Sequence, residues 1–201
     1  QLVWGPLSDR FGRKPILVAG MGLFVAASIG AVFAPSMDQL IVWRTLQGAA
    51  MGAGVMCARA IVRDLYAPTE GARMMSKGLS GLGVIACASA PLGGLLSDLF
   101  GWRAALLALA VFAAATLALL LARFEETLPR RNPQALQPRT LVATWGQIAR
   151  HPTFWTWALL ATATYAGLFT YLASSSFVLI GVLGLSKTQY GLAMLTMSLS
   201  Y

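Results

Sequence analysis

Residues 5–38 read GPLSDRFGRKPILVAGMGLFVAASIGAVFAPSMD, a short basic segment followed by a long apolar run. No acidic or basic residue occurs between Lys14 and Asp38. A helix needs about 20 apolar residues to cross the hydrocarbon core of a bilayer, so this run is long enough to span a membrane. Three further uncharged runs lie between Lys77 and Asp98, between Arg103 and Arg123, and between His151 and Lys187.

The composition excludes an ordinary soluble protein. Hydrophobic residues make up 57% of the chain and charged residues 11%, whereas soluble domains carry about 25% charged residues. The apolar runs also lack the polar face that each helix of a soluble bundle needs. We therefore predict an all-α membrane protein with a first partial helix ending near Leu7 and a last helix beginning near Thr188. Five complete spans are predicted over residues 15–35, 38–62, 74–97, 103–122 and 153–183.

The distribution of the basic residues predicts the orientation in the membrane. The net charge is +8, but Lys and Arg separate the apolar runs, which is typical of topology signals and not of a nucleic-acid surface. If the spans alternate in direction, one side receives most of these residues, and we predict that this side is cytoplasmic. It holds Arg10, Arg13, Lys14, Arg59, Arg63, Arg73, Lys77, Arg123, Arg130, Arg131, Arg139 and Arg150. The other side holds Arg103 and Lys187.

No residue pattern indicates a metal or a cofactor. Cys57 and Cys87 lie within apolar runs, and we interpret both as reduced packing residues. Their spacing is not that of a metal site. The single histidine, His151, precedes Pro152 at a predicted helix start and receives no chemical role.

The longest connection, residues 123–152, is polar and contains several prolines. Within it Leu141, Trp145 and Ile148 follow at i, i+4 and i+7. This spacing indicates a short amphipathic helix in the headgroup plane. An unstructured linker is the alternative interpretation.

Two short segments of the chain resemble each other. Residues 5–12, GPLSDRFG, and residues 94–101, GLLSDLFG, are identical at six of eight positions. Three predicted spans separate them, so the two copies are expected on opposite faces of the membrane. Inverted repeats of three helices would place them in this way. The alternative is that the two segments carry the same turn-forming residues by coincidence.

The basic segment satisfies the pattern G-x-x-x-D-R-x-G-R-K, with Gly5, Asp9, Arg10, Gly12, Arg13 and Lys14 at the defined positions. It resembles the signature between the second and third helices of the major facilitator superfamily. The resemblance implies that this segment latches the two halves of the transporter on the cytoplasmic side in the outward-open state. An ion-pair cluster of Asp9, Arg13 and Asp64 would suit that role. The alternative is that the positive charges of this loop only keep it on the cytoplasmic side.

Arg44 lies within a predicted span, where a guanidinium by default requires a partner or a water-filled cavity. The sequence Arg44-Thr-Leu-Gln47-Gly48 resembles the fourth-helix motif of the same family, whose arginine is linked to proton coupling. Gly48, Gly52 and Gly54 are expected to allow tight helix packing nearby. Snorkelling of Arg44 to the headgroups is the alternative.

Pro91, Gly93 and Gly94 in the fifth helix resemble the antiporter motif of exporters, with Leu92 alone between the proline and the glycines instead of two residues. Further stretches resemble the bicyclomycin/chloramphenicol-resistance (Bcr/CflA) branch of drug:proton antiporters. These stretches are residues 58–66, 126–129, 167–171 and 176–178.

Aromatic residues on the seventh helix provide candidate drug contacts. Tyr165 and Phe169 are four residues apart and share a helix face, and Tyr171 lies nearby. In the family that helix lines the central cavity, where aromatic side chains suit apolar drugs. Packing against lipid or against other helices is the alternative.

The resemblance identifies the chain as a fragment of a twelve-helix transporter, from the end of helix 2 to the start of helix 8. Residues 1–122 would belong to the N-terminal six-helix half, residues 123–152 to the cytoplasmic central loop, and residues 153–201 to the C-terminal half. The implied function is proton-coupled efflux of small apolar drugs across the bacterial inner membrane by alternating access. The expected partners are the drug, protons and the lipid bilayer, with a monomer as the full-length form and with no nucleic acid.

Two other functions are the alternatives. Proton-coupled uptake of a small metabolite by the same fold would use Arg44 to hold an anion. A membrane enzyme would need clustered catalytic side chains at membrane depth, and the only histidine lies outside the spans. We therefore predict that the chain is not an enzyme. The proton-carrying carboxylate is expected on the first helix, outside the present sequence, because Asp38, Asp64 and Asp98 lie at span ends.

Overall fold

The computed structural model describes the backbone of residues 2–200 and the side chains of residues 2–196. This range contains helices and their connections and no β-strand, which confirms the predicted all-α class. In chain order the helices are α1 (Trp4–Phe11), α2 (Arg13–Val32), α3 (Met37–Leu65), α4 (Pro68–Phe100), α5 (Trp102–Arg123), α6 (Pro138–Arg150), α7 (Pro152–Ser176) and α8 (Lys187–Ser200). A short π-helix, Phe177–Val182, continues α7.

Within residues 2–200, five helices are long and apolar enough to cross a membrane, namely α2, α3, α4, α5 and α7 with its π-helical continuation. They correspond to the five predicted spans, but some extend further into the polar flanks. α3 continues to Leu65 and α4 begins at Pro68, beyond the predicted limits at residues 62 and 74. The helical backbone can continue into water, so an apolar run marks only the part of a helix that the hydrocarbon buries.

The prediction of a first helix ending near Leu7 is wrong. α1 continues to Phe11 and α2 begins at Arg13, so the basic segment is helical and the chain reverses at Gly12 alone. Gly12 has φ of +111°, a value that costs glycine little and other residues much. A single glycine therefore replaces the longer loop that the polar residues suggested.

Local sequence explains several helix starts. The Ser36 hydroxyl oxygen accepts a hydrogen bond from the Gln39 backbone nitrogen at 3.3 Å and caps α3. Pro68, Pro138 and Pro152 each stand in the first turn of a helix, where a missing N–H has no cost. The helix predicted around Leu141, Trp145 and Ile148 is present as α6, so the unstructured alternative is wrong.

α2 packs between α3 and α5, and small residues lie in these contacts. Ala27, Ala53 and Cys57 are fully buried. A methyl group added at Gly20 would lie 2.5 Å from the Ala53 side chain, so the backbones of α2 and α3 approach closely there. Small residues allow such close packing between membrane helices.

Successive long helices run in alternating directions, as the contacts between their ends show. The start of α2 meets the end of α3 through Arg13 and Asp64, and the start of α5 meets the end of α2 through Arg103 and Val32. The basic end of the bundle carries the Gly12 turn and α6. The opposite end carries the α4–α5 turn at Gly101 and the connection from α7 to α8, and there α4 packs along α8.

Candidate functional site

The centre of the basic end is the guanidinium of Arg13, whose side chain is only 2% exposed. Nη1 donates to the Asp9 carboxylate at 2.6 Å and to the Ser8 hydroxyl at 2.5 Å. Nε donates to the Asp64 carboxylate at 2.9 Å. The structure thus brings together the three residues for which an ion-pair cluster was expected, and it adds Ser8.

The cluster joins three helices through one side chain. Asp9 belongs to α1, Arg13 to α2 and Asp64 to the last turn of α3. Charge-assisted hydrogen bonds of this kind are about twice as strong as neutral ones, and a buried guanidinium without its carboxylates would be strongly unfavourable. Asp9 keeps 45% of its side chain exposed, whereas Asp64 keeps 12%, so Asp9 is the member that a further element can reach.

Glu126 completes the basic end, and its role was not found from the sequence. Its carboxylate oxygens accept hydrogen bonds from the backbone nitrogens of Arg13 at 2.9 Å and Lys14 at 3.2 Å. These N–H groups are the first of α2, whose own N-cap residue, Gly12, has no side chain to offer. A carboxylate from beyond the end of α5 therefore caps α2, where the helix dipole favours a negative charge.

The environment of Glu126 keeps its carboxylate ionised. Partial burial by itself raises the pKa of this carboxyl, but four backbone hydrogen bonds outweigh burial and the resulting pKa is below the ordinary value. The donors are the backbone N–H groups of Leu128, Arg13, Lys14 and Thr127. Hydrogen bonds to a carboxylate stabilise its charged form.

Glu126 also gives a second reason for glycine at position 12. A Cβ atom at this position would overlap the Glu126 carboxylate, in addition to the positive φ of the backbone. The turn, the cap and the ion-pair cluster therefore depend on one another.

The remaining residues of the motif stay outside the cluster. Arg10 lies over the ring of its neighbour Phe11, with its guanidinium carbon 5.4 Å from the ring centre, and neither Arg10 nor Lys14 forms an ion pair within residues 2–196. A methyl group added at Gly5 would meet no atom within 4 Å, and Gly5 lines an open cleft of about 400 Å³ between α1 and α3. Asp9 lines the same cleft.

Arg44 is connected to the interior through α3 and α2. Its Nη1 donates to the Gln47 side-chain oxygen at 3.2 Å, and the Gln47 amide nitrogen donates to the Ser28 hydroxyl at 2.7 Å. Gln47 and Ser28 are both buried, at 4% and 1% exposure. Arg44 itself is exposed on the surface of this chain, and no carboxylate contacts it among the described residues.

The expectation of tight packing at the glycines near Arg44 is wrong for two of them. Methyl groups added at Gly48 and Gly54 would meet no atom within 4 Å, so these glycines face open space. The close approach of α2 and α3 occurs instead at Gly20, beside Ala53, and at Gly30, beside the Trp43 ring. A cluster of glycines in the sequence does not show which side of the helix has a neighbour.

The three residues of the antiporter motif divide between two environments. Pro91 lies inside α4, as predicted. A methyl group added at Gly191 of α8 would lie 2.8 Å from the Pro91 Cα atom, and one added at Gly94 would overlap the backbone of α8 at Lys187. A methyl group added at Gly93 would have no neighbour within 4 Å. Pro91 and Gly94 therefore face α8, and Gly93 does not.

The candidate cavity residues lie on an open face of α7. The rings of Tyr165 and Phe169 stack with their centres 6.3 Å apart, as their four-residue spacing predicts. Tyr165 is 57% exposed, Phe169 is 63% exposed, and Tyr171 is 37% exposed. Among the described residues, α7 packs against α6 and its own π-helical continuation. It also contacts α8 near its end, where the Ser175 hydroxyl lies 3.0 Å from the Tyr190 hydroxyl, and the aromatic face at Tyr165 and Phe169 stays exposed.

Comparison with known proteins gives a consistent result over the whole chain. The profile of the Major Facilitator Superfamily matches residues 1–201. The chain is 32% identical to the multidrug resistance protein D of Escherichia coli, over 93% of this chain and 46% of that protein. It is 30% identical to a chloramphenicol resistance protein of Pseudomonas aeruginosa, over 100% of this chain and 47% of that protein.

A third relative is a bicyclomycin resistance protein homolog of Haemophilus influenzae, 26% identical over 95% of this chain and 48% of that protein. The chain therefore spans about half the length of these relatives. The resemblance to the bicyclomycin/chloramphenicol-resistance branch that the sequence motifs indicated is confirmed by these matches.

Proposed function

We propose, for a chain that belongs to the major facilitator superfamily, that the whole protein exports small apolar drugs across the bacterial inner membrane in exchange for protons. The observation that carries this proposal is the similarity of nearly the whole chain to proteins named for multidrug, chloramphenicol and bicyclomycin resistance. These relatives are transport and resistance proteins and not enzymes, in agreement with the prediction. The protein works as a monomer by alternating access.

The arrangement at the basic end supports a latch between the two halves. Arg13 and Glu126 fix the Gly12 turn to α3 and to the end of α5, which makes the turn rigid. The half-exposed Asp9 and the cleft beside Gly5 remain open to a further helix. In this proposal a helix of the C-terminal half, residues 153 onward, docks there when the transporter opens outward, and the central segment 123–152 permits the movement.

The basic end faces the cytoplasm in this proposal. Positive charge on loops retains them on the cytoplasmic side, and most of the Lys and Arg residues lie at this end. α6 carries Arg139 and Arg150 at its ends and leaves Val142, Trp145 and Ile148 exposed. It would lie in the headgroup region beside the start of α7.

The connection from Arg44 through Gln47 to Ser28 supports a role in proton coupling. The Arg44 guanidinium is hydrogen-bonded to Gln47 of α3, which is hydrogen-bonded in turn to Ser28 of α2. A movement of the guanidinium would therefore affect both polar side chains. The proton itself requires a group that titrates, and we place this carboxylate on the first helix of the whole protein. Arg44 would then favour the ionised form of this carboxylate, and the ion pair between them would be lost when the carboxylate is protonated.

The open aromatic face of α7 supports the assignment of the drug site. Tyr165, Phe169 and Tyr171 would line the central cavity, where stacking and burial of an apolar drug are favourable. The mechanism needs no metal and no organic cofactor, because the energy comes from the proton gradient.

A drug accumulation assay in cells that express the full-length protein tests the proposal. Cells that lack their own exporters should hold less chloramphenicol or bicyclomycin when the protein is present, and an uncoupler should remove the difference. The R44A variant should lose the effect, and the R10A variant, whose guanidinium makes no ion pair within the described residues, serves as the control. Higher internal solute on expression would instead support proton-coupled uptake.

A further inference from the structure

We propose that Asp98 and Thr188 form a clasp that closes the outer end of the transporter, which is the end of the bundle opposite the basic end. Asp98 is the gating residue of this clasp. The inference rests on the proposed function in one respect, because it assumes that the two halves separate at this end during transport. The clasp joins α4 of the N-terminal half to α8 of the C-terminal half. It must open and close once in each transport cycle.

The hydrogen bonds of the clasp are made by one carboxylate oxygen. Asp98 Oδ2 accepts from the Thr188 backbone nitrogen at 2.8 Å and from the Thr188 hydroxyl at 2.7 Å. Lys187 adds a weaker contact from its Nζ atom to the Ser97 carbonyl oxygen at 3.4 Å. Because α8 begins at Lys187, the Asp98 carboxylate caps the first turn of α8, where a negative charge is favourable.

Close backbone contact continues the clasp along the two helices. Gly94 lies one turn below Asp98 and packs against the backbone of Lys187 and Thr188. One turn further into α8, a methyl group added at Gly191 would lie 2.6 Å from the Ala90 carbonyl oxygen. There is no space for a side chain at either glycine, so the outer parts of α4 and α8 leave no passage between them.

The repeated segments explain why Asp98 is available to α8. Gly12 ends the first copy and Gly101 ends the second, and the two glycines have similar backbone angles. Gly12 has φ of 111° and ψ of 159°, and Gly101 has φ of 84° and ψ of 165°. Asp9 in the first copy pairs with Arg13, the residue after the turn glycine. The second copy has Trp102 at that position.

Arg103, the nearest guanidinium in sequence, is directed elsewhere. It donates to the Val32 and Ala34 carbonyl oxygens at 3.2 and 3.1 Å. Asp98 therefore forms no ion pair within residues 2–196, and its side-chain hydrogen bonds go to α8 alone. In this structure the aspartate of the first copy is bound within the group α1 to α3, whereas the aspartate of the second copy joins α4 to α8.

The exposure of Asp98 suits a contact that opens repeatedly. The carboxylate and the Thr188 donors lie at the surface of the bundle, so water can replace their hydrogen bonds when α8 moves away. A fully buried ion pair would lose much more on opening. The closed clasp corresponds to a state whose outer end is sealed.

The test measures the distance between the outer end of α4 and the connection that leads into α8, in the full-length protein in lipid nanodiscs. Spin labels are placed at L99C and L183C, two exposed positions, after replacement of Cys57 and Cys87 by serine. D98A and T188V should raise the ratio of the long-distance to the short-distance population by roughly fivefold. T188S, which keeps the hydroxyl, should resemble the wild type.

One matched pair of variants and one further variant serve as controls. G94A should widen the distance because its methyl group meets the backbone of α8, whereas G93A, whose methyl group meets no atom within 4 Å, should not. D38N removes a charge at the same end of the bundle from a carboxylate that makes no ion pair in the described structure, and it should leave the distances unchanged.

Unchanged distance distributions in D98A, T188V and G94A would overturn the proposal, and so would equal widening in G93A and D38N. Drug accumulation in the same strains separates this result from the proposed function. Widened distances in a protein that exports no drug would refute the export proposal and leave the clasp intact. Normal export with an unchanged distance in D98A would refute the clasp alone.

Discussion

The carboxylate of Glu126 caps the helix that begins at Arg13, with Oε1 lying 2.9 Å from the Arg13 backbone nitrogen across 113 residues of sequence. Arg13 thus binds Glu126 through its backbone and binds Asp9 and Asp64 through its side chain. Two sets of contacts that share Arg13 hold the Gly12 turn, one around the guanidinium and one around the helix start.

Loss of the Glu126 cap should lower the stability of the basic end. E126A should lower the free energy of unfolding by about 1 kcal/mol, the usual cost of removing a helix cap. E126Q should lower it less, because its amide oxygen still accepts a hydrogen bond without the charge. Thermal unfolding of the full-length protein in detergent measures the effect. The exposed Glu125 supplies the control E125Q, and equal shifts for E125Q and E126Q would contradict the capping role.

The contribution of Glu126 should not vary with pH in the physiological range. A carboxyl whose pKa is lower in the folded than in the unfolded chain stabilises the fold above its unfolded pKa, and this stability is lost as pH falls through the folded pKa. The pKa of Glu126 is lowered by its backbone donors, so its contribution is complete above about pH 5.5.

The difference in melting temperature between the wild type and E126Q, measured across pH, checks this expectation. It should be constant between pH 6 and pH 8 and should decrease only in stronger acid. A difference that disappears between pH 8 and pH 6 would show that Glu126 titrates in that range.

Replacement of Arg13 should be among the most damaging changes at the basic end. R13A leaves Asp64, which is 12% exposed, without its partner, and loss of one member of a buried ion pair costs about 3 kcal/mol or more. R13K should also lose function, because a lysine cannot donate to two carboxylates with the planar geometry of a guanidinium. R10A should be close to the wild type.

Yield and thermal stability of these three variants, together with drug accumulation, provide the measurement. If R10A and R13A were equally impaired, positive charge would be what matters at this loop, and the ion-pair cluster would not.

Gly5 and Gly12 should respond differently to substitution. G12A should impair folding, because alanine is strained at φ of +111° and its methyl group overlaps Glu126. G5V should leave the stability of the group α1 to α5 unchanged, since Gly5 faces open space. It should nevertheless reduce drug export severalfold if a helix of the other half docks in the cleft beside Asp9. Wild-type export by G5V would remove the support for docking at this cleft.

The sequence predicted features that depend on local spacing. The five spans followed from apolar runs bounded by charges, such as the run from Lys14 to Asp38, because the thickness of the bilayer sets their length. Tyr165 and Phe169 are four residues apart, a spacing that brings side chains together on a helix, and their rings stack. Asp64 as a partner of Arg13 and the possible roles of Arg44 and Pro91 came from family resemblance.

Contacts across long separations in sequence could not be predicted in this way. Glu126 follows α5 and caps α2, and Asp98 of α4 bonds to Thr188 of α8. The relative positions of these helices cannot be read from the periodicity of the sequence. The same reason explains the wrong expectation at Gly48, because a small residue favours close packing only where a neighbouring helix lies. In α2, Gly20 and Gly30 contact α3 and Gly22 does not, although the three glycines look alike in the sequence.

The most direct test of proton-coupled drug export uses the purified full-length protein in liposomes with a pH-sensitive dye inside. With the interior acidic, addition of chloramphenicol or bicyclomycin outside should raise the internal pH as protons leave in exchange for drug. The R44A variant should show no such change. A drug that enters the liposomes at the same rate with and without a pH gradient, and with no change of internal pH, would contradict the account.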